Sequence, residues 1–203
     1  MIIHDVEQNS PEWYEARAGI PTASEFNKIL TSTGKPSTQA EAYANKLAAE
    51  RLTGQPCKDF EGSAYTERGH EFEGEAANFY AFDKDAEPLQ VGFVTDDQKQ
   101  YGCSPDRLIG EEGILEIKCP SAHVHVGYMR KQKIDSKYLV QCHGQLLVTG
   151  RKWIDWMSYH PDLKPVIIRL ERDEGFLSSL AGALENFNNK INAIVEELKQ
   201  KGA

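Results

Sequence analysis

Two carboxylates and a lysine stand close together in the stretch Ser104-Pro105-Asp106 … Leu115-Glu116-Ile117-Lys118-Cys119-Pro120. In an extended strand alternate side chains share a face, so Glu116 and Lys118 point one way while Leu115 and Ile117 point the other. Gly110-Glu111-Glu112-Gly113 is a turn signal that joins the two flanking apolar runs as a hairpin. Its register brings Asp106 opposite Glu116 or an immediate neighbour. Opposed side chains on one face lie about 4.5–5.5 Å apart at Cβ, close enough for two carboxylates to share one divalent ion. Without an ion the two acids repel and one tends to take a proton. Lys118 relieves that repulsion in part, and it can align an attacking water or offset the charge of a pentavalent phosphate. Hard oxygen ligands without a Cys/His cluster select magnesium or manganese over zinc. Such a site suits phosphodiester hydrolysis, because a metal-bound water becomes a usable nucleophile near neutral pH. Taken alone, the alternation favours a plainer reading, a solvated hairpin with an ordinary surface Glu-Lys pair.

The elements around the hairpin follow from periodicity and punctuation. Ser10-Pro11-Glu12 opens a first helix with a capping residue and a proline at its first turn, and Gly19 closes it. Thr22-Ala23-Ser24-Glu25 has capping-box spacing, with Phe26, Ile29 and Leu30 as the apolar side of the helix it would start. After Gly34-Lys35-Pro36, Ser37 begins a longer helix with Ala40, Tyr43, Ala44 and Leu47 on one face, ending at Gly54. A loop leads to a helix over 66–82, with Gly69, Glu73, Ala76 and Tyr80 on one side. Strands are expected over 91–94, 107–109 and 114–117, and a helix over 137–148. Two more strands, 153–159 and 166–170, have Pro161 and Pro165 between them. From Asp173 to about 200, Leu177, Leu180, Leu184, Phe187, Ile191, Ile194 and Leu198 recur in steps of three and four, a seam for packing. There is no internal repeat. The order helix, sheet, helix implies an α/β or α+β layer fold with helices on a central mixed sheet.

A chain of 203 residues fits one domain over 1–203. Its 40% hydrophobic and 27% charged residues match soluble globular proteins, and no apolar run is long enough to span a membrane. Met-Ile-Ile-His-Asp-Val-Glu lacks the character of a secretory signal, so a cytoplasmic location is expected. Cys57, Cys103, Cys119 and Cys142 contain no C-x-x-C pair, and reduced buried thiols are the simpler expectation. A net charge of -8 opposes contact with a polyanion. What a nucleic-acid enzyme needs, however, is the right local field in a cleft rather than the right molecular sum.

The spacing of Asp106, Glu116, Ile117 and Lys118, with the trailing Cys119-Pro120, resembles the PD-(D/E)XK nuclease core in the form seen in bacteriophage lambda exonuclease and its viral recombinase relatives. Arg17 followed by Thr22-Ala23-Ser24 resembles that family's N-terminal motif. Arg68-Gly69-His70-Glu71-Phe72-Glu73 resembles its Arg-Gly helix ending in a glutamate, and Tyr138-Leu139-Val140-Gln141 with Val148-Thr149 its glutamine-bearing helix. Four motifs in order cover most of the chain from Trp13 to Pro161. Relatives in the wider nuclease class often carry a tyrosine four residues after the glutamine, where this chain has Gln145. His70 matches no ligand of the family.

The resemblance implies a restriction-endonuclease-like core and a magnesium-dependent 5′→3′ double-strand DNA exonuclease of phage-type recombination, making 3′ single-stranded tails for an annealing protein. It implies that Asp106, Glu116 and the carbonyl of Ile117 bind magnesium, which manganese can replace and calcium inhibits, with Lys118 catalytic and Glu73 and Gln141 assisting. Arg17 and Ser24, with Thr22 beside them, become a pocket for the terminal 5′-phosphate; a guanidinium fork and a hydroxyl near a helix start are sound phosphate ligands. It further implies a homotrimeric ring around DNA, encoded by a phage or prophage and acting in the bacterial cytoplasm. Arg130, Lys131, Lys133 and Lys137 form the densest basic run, a candidate track for the DNA backbone. An endonuclease of the same fold and a non-catalytic DNA-binding module are the alternatives.

Overall fold

The structure, a computed structural model, describes residues 1–57 and 64–202, and the side chains of all of these except 64–70. The Arg68, Gly69 and His70 readings fall outside the described side chains. In chain order the elements are β1 (Ile2–His4), α1 (Pro11–Arg17), a 3-10 helix (Ala23–Lys28), α2 (Ala40–Thr53) and α3 (Ala64–Lys84). Then come β2 (Pro88–Leu89), β3 (Phe93–Thr95), β4 (Gly102–Cys103), β5 (Arg107–Ile109) and β6 (Gly113–Lys118). The last are α4 (Ala122–Lys131), α5 (Ser136–Thr149), β7 (Trp153–His160), β8 (Leu163–Glu171) and α6 (Glu174–Gln200).

The expected mixed sheet flanked by helices is present. Five strands lie in the order β2-β5-β6-β7-β8, with β6 and β7 parallel and the other neighbours antiparallel. A parallel pair needs a long crossover, and α4 and α5 supply it. A smaller sheet, β1-β3-β4, lies apart from these five. The site strand β6 is central, and both of its faces are covered. Ile114 belongs to a core with Phe26, Leu146, Trp156 and Leu184, while Leu115 and Ile117 belong to a second core with Ala76, Ala77 and Tyr80 of α3. The solvated-hairpin reading therefore fails, because α5 covers the face that the alternation alone would give to water.

Two close approaches fix the helices that serve the site. Gly144 lets α5 settle on the 3-10 helix: a Cβ there would lie 2.5 Å from the Phe26 ring. On the opposite face Tyr80 donates to Asp155 of β7 at 2.7 Å, and Arg169 of β8 binds the same carboxylate through two nitrogens at 2.8 Å each. Glu73 lies two turns before Tyr80 on one side of α3, so this anchor sets the rotation that carries Glu73 toward the Asp106 end of the sheet.

Several expectations need correction. Thr22 caps nothing with its side chain, and the segment that follows is a 3-10 turn rather than an α-helix. The cause is a competing tie: Gly102 N donates to Pro21 O at 2.9 Å and Thr22 N to the Tyr43 hydroxyl at 3.1 Å, which turns the Thr22 hydroxyl toward Arg17. Pro165 lies inside β8 rather than before it, tolerated because β8 is an edge strand with an irregular register between Ser158 and His160. Helix α4 was not anticipated; its two buried residues are His125 and Tyr128, which leave little apolar periodicity to read. The α6 seam is used within the chain, with Leu177, Leu180, Leu184, Phe187 and Ile191 buried and Phe187 stacked on Tyr43 of α2 at 5.3 Å. Ile194 and Leu198 of the same seam are only half-buried.

Candidate active site

Asp106 directly precedes β5, and the pairing of Arg107 with Leu115 places it across from Glu116, as the turn requires. Its Oδ2 accepts the Ile117 N–H at 2.5 Å. Burial pushes the Asp106 carboxyl well above the usual range, and the charges of Glu116 and Glu73 push the same way, against Lys118 and the Ile117 N–H.

Glu116 is only 1% exposed, yet it is well supplied with donors. Lys118 Nζ and Gln141 Nε2 both reach Oε1, the latter at 2.6 Å, while Gln145 Nε2 donates to Oε2 at 2.6 Å. Gln141 and Gln145 are one turn apart on α5, so both point to one carboxylate. Burial works against the Lys118 charge, but Glu116 and Asp106 more than offset it and the ammonium titrates far above neutrality. Glu73 receives Arg107 Nη1 at 2.6 Å, and the same nitrogen donates to the Asp106 carbonyl at 2.5 Å.

These groups line one cavity of about 410 Å³, and its other end is built from α1, the 3-10 helix and the β4–β5 junction. There Arg17 donates to Ser104 Oγ at 3.2 Å and Thr22 Oγ1 at 3.4 Å, and Thr22 Oγ1 lies 3.3 Å from Ser24 Oγ. The Trp13 ring lies 3.8 Å from the Arg17 guanidinium carbon, and its indole N–H donates to Ser104 Oγ at 2.9 Å. Burial lowers the Arg17 pKa, with weaker opposition from nearby groups such as Tyr43 and Glu25. Among the described residues its side-chain hydrogen bonds end on hydroxyls and no carboxylate pairs with it. That is a cation suited to an incoming anion.

The structure thus brings all of the expected side chains, Asp106, Glu116, Lys118, Glu73, Gln141, Arg17, Thr22 and Ser24, to one cavity. Sequence reasoning gave no role to Trp13, Ser104 or Arg107, and noted Gln145 only as the position where relatives often carry a tyrosine. Ser104 had a signal, since it stands two residues before Asp106 and must share its neighbourhood. The basic run is split: Arg130, Lys131 and Lys133 are exposed around the C-terminus of α4, and Lys137 lies over Tyr138 at 4.6 Å.

The donor set fits a hard divalent cation. Burial first, and the charge of Glu116 after it, push the Asp106 carboxyl upward, and an ion between the two carboxylates would favour the charged form. Burial pushes the Cys103 and Cys142 thiols up, and neither is among the residues that line the cavity, which leaves its donors mostly oxygen. Among the described residues no three His, Cys, Asp or Glu side chains already converge on one point. Glu73 is drawn to Arg107, which leaves Asp106 and Glu116 as the carboxylates open to an ion.

The model of the YqaJ-like viral recombinase domain matches residues 12–152. An alkaline exonuclease from Laribacter hongkongensis, LHK-Exo, is 30% identical with a TM-score of 0.85, over 95% of this chain and 97% of that one; its complex with dAMP matches equally. A phage-related exonuclease from Haemophilus somnus 129PT shares the fold, with a TM-score of 0.69 and 15% identity over 88% of this chain and 96% of that one. No curated protein matches. No described helix is long and apolar enough to cross a membrane. With its family model matched over more than half its length and both ends of the cavity inside the matched span, this chain belongs to the YqaJ-like viral recombinase family.

Proposed function

We propose that the chain is a magnesium-dependent exonuclease that degrades one strand of double-stranded DNA from its 5′-phosphorylated end and leaves 3′ single-stranded tails. The observation that carries this reading is the single cavity with a carboxylate–lysine centre at one end and the hydroxyl-lined Arg17 at the other. A DNA end offers two anions to such a cavity, its terminal phosphate and the first phosphodiester. Its likeness to an alkaline exonuclease, one of whose structures holds a nucleoside monophosphate, agrees with that reading.

Asp106, Glu116 and the Ile117 carbonyl would hold magnesium, which lowers the pKa of a bound water and polarises the phosphoryl oxygen. Lys118 brings a fixed positive charge to the scissile phosphate and steadies the charge that builds there. Gln141 keeps Glu116 in place, and Glu73 with Arg107 frames the entrance at Asp106. Arg17, Ser24, Thr22 and Ser104 hold the terminal phosphate, so only a strand with an end is registered for cutting. Manganese substitutes for magnesium, and calcium binds without supporting hydrolysis.

A homotrimeric ring resolves the conflict between a net charge of -8 and a polyanionic substrate, because a closed ring can turn Arg130 to Lys137 inward and leave its acidic surface outside. The tails would be passed to a single-strand annealing protein in the bacterial cytoplasm, for a phage or prophage. Light scattering across protein concentrations tests the ring; a monomer that stays processive on DNA contradicts it. The activity itself is tested with linear and covalently closed circular DNA, with magnesium and with chelator. Digestion of the linear form alone, and only with magnesium, is expected. Cutting of the circle would replace the exonuclease with an endonuclease.

A further inference from the structure

Glu116 takes a hydrogen bond at each of its carboxylate oxygens, and the donor to Oε2 is Gln145. This side chain is 1% exposed and lines the same cavity as Asp106 and Lys118. Its amide nitrogen is used, but its Oε1 has no hydrogen-bond partner. Turning the amide over would not help, since it would set an acceptor against the Glu116 carboxylate; the neighbours dictate the orientation. A buried acceptor left without a donor is costly, and such a group calls for a ligand or a bound water. Gln145 stands in the wall of a cavity of about 410 Å³, from which such a partner would come.

Carboxylate ligands of a metal are themselves held by neighbouring hydrogen bonds that fix their orientation. Magnesium also keeps several of its waters when bound by few protein ligands, and those waters are donors. Gln145 has one group for each need, whereas a side chain with only a donor would meet one of them. Resting on the magnesium reading above, we propose that Gln145 is a positioning residue for the cation site: its Nε2 fixes Glu116, and its Oε1 accepts a hydrogen bond from the ion's remaining water.

The test is Gln145→Met, which keeps length and bulk but removes donor and acceptor. Calcium binding by titration calorimetry should weaken by about 10- to 100-fold, the usual effect of losing such a neighbour. Half-maximal digestion should need magnesium higher by a similar factor, with KM for DNA unchanged. Melting in chelator should change little, because the variant loses the donor to Glu116 and the orphaned acceptor together; a merely structural glutamine would lower the melting point and leave calcium affinity as it is. If the methionine variant does not fold, Gln145→Ala takes its place in the same titrations. A folded variant with wild-type calcium affinity and magnesium requirement overturns this role alone. A wild-type protein that binds neither calcium nor magnesium overturns it together with the metal reading.

Discussion

At one end of the cavity Glu116 gathers three side-chain donors, and burial together with the Glu116 charge pushes the Asp106 carboxyl upward; at the other, among the described residues, hydroxyls receive the Arg17 N–H groups. Both ends are built within the same small volume, yet they are unfinished in opposite senses. The acidic end has two carboxylates beside the single charge of Lys118, and the basic end has a guanidinium that no carboxylate pairs with among the described residues. A cation completes the first and an anion the second. The difference teaches that the protein need not be basic overall to take DNA: opposite local deficits at the two ends of one cavity can orient a strand end better than a uniform patch would.

The largest effects should come from breaking the acidic end. Asp106→Ala, Glu116→Ala and Lys118→Ala are each expected to abolish cleavage, a fall of at least about a thousandfold, since electrostatic stabilisation is usually the largest single contribution to catalysis. Circular dichroism and melting should show folded protein, and near-native rates in any folded variant would remove that residue from the mechanism. Replacing magnesium by calcium should leave DNA binding measurable by anisotropy while hydrolysis stops; rapid digestion in calcium alone would point to another chemistry.

A smaller and more selective loss is expected at the basic end. Arg17→Ala should slow digestion of 5′-phosphorylated DNA by about 10- to 100-fold, the scale of a charge-assisted hydrogen bond of roughly 1.5–3 kcal/mol, and barely affect 5′-hydroxyl DNA. Equal slowing of both substrates would make Arg17 a general backbone contact. Trp13→Phe sharpens the point, because it keeps an aromatic face over Arg17 but loses the indole N–H that holds Ser104. About a two- to tenfold loss confined to the phosphorylated substrate is expected for one neutral hydrogen bond. An unchanged preference for the phosphate would leave Trp13 as packing only.

The acidic end was the more legible in sequence because its geometry is local. The turn at Gly110 to Gly113 sets the register, so Asp106 and Glu116 had to meet. What alternation could not show was that β6 is central and that its polar face lies under α5 rather than under water. Gln145 was noticed but left without a role for that reason: its partner is 29 residues away and belongs to another element. The basic end is assembled across longer gaps. Trp13 and Ser104 are 91 residues apart, and nothing in either local pattern announces that one donates to the other. Thr22 was found by motif but given the wrong local role, since the capping-box spacing competes with a tie to Gly102 that only the folded chain contains.

Labelled linear DNA tests the joint action of the two ends most directly. If Arg17 seats the terminal phosphate while Asp106 and Glu116 mark the first phosphodiester, a 5′-end label should leave in magnesium as a mononucleotide from the first moments of digestion, while a 3′-end label stays with long single-stranded product. Release of the 5′ label in oligonucleotides, or loss of the 3′ label first, would contradict the placement of the two ends on one terminal nucleotide.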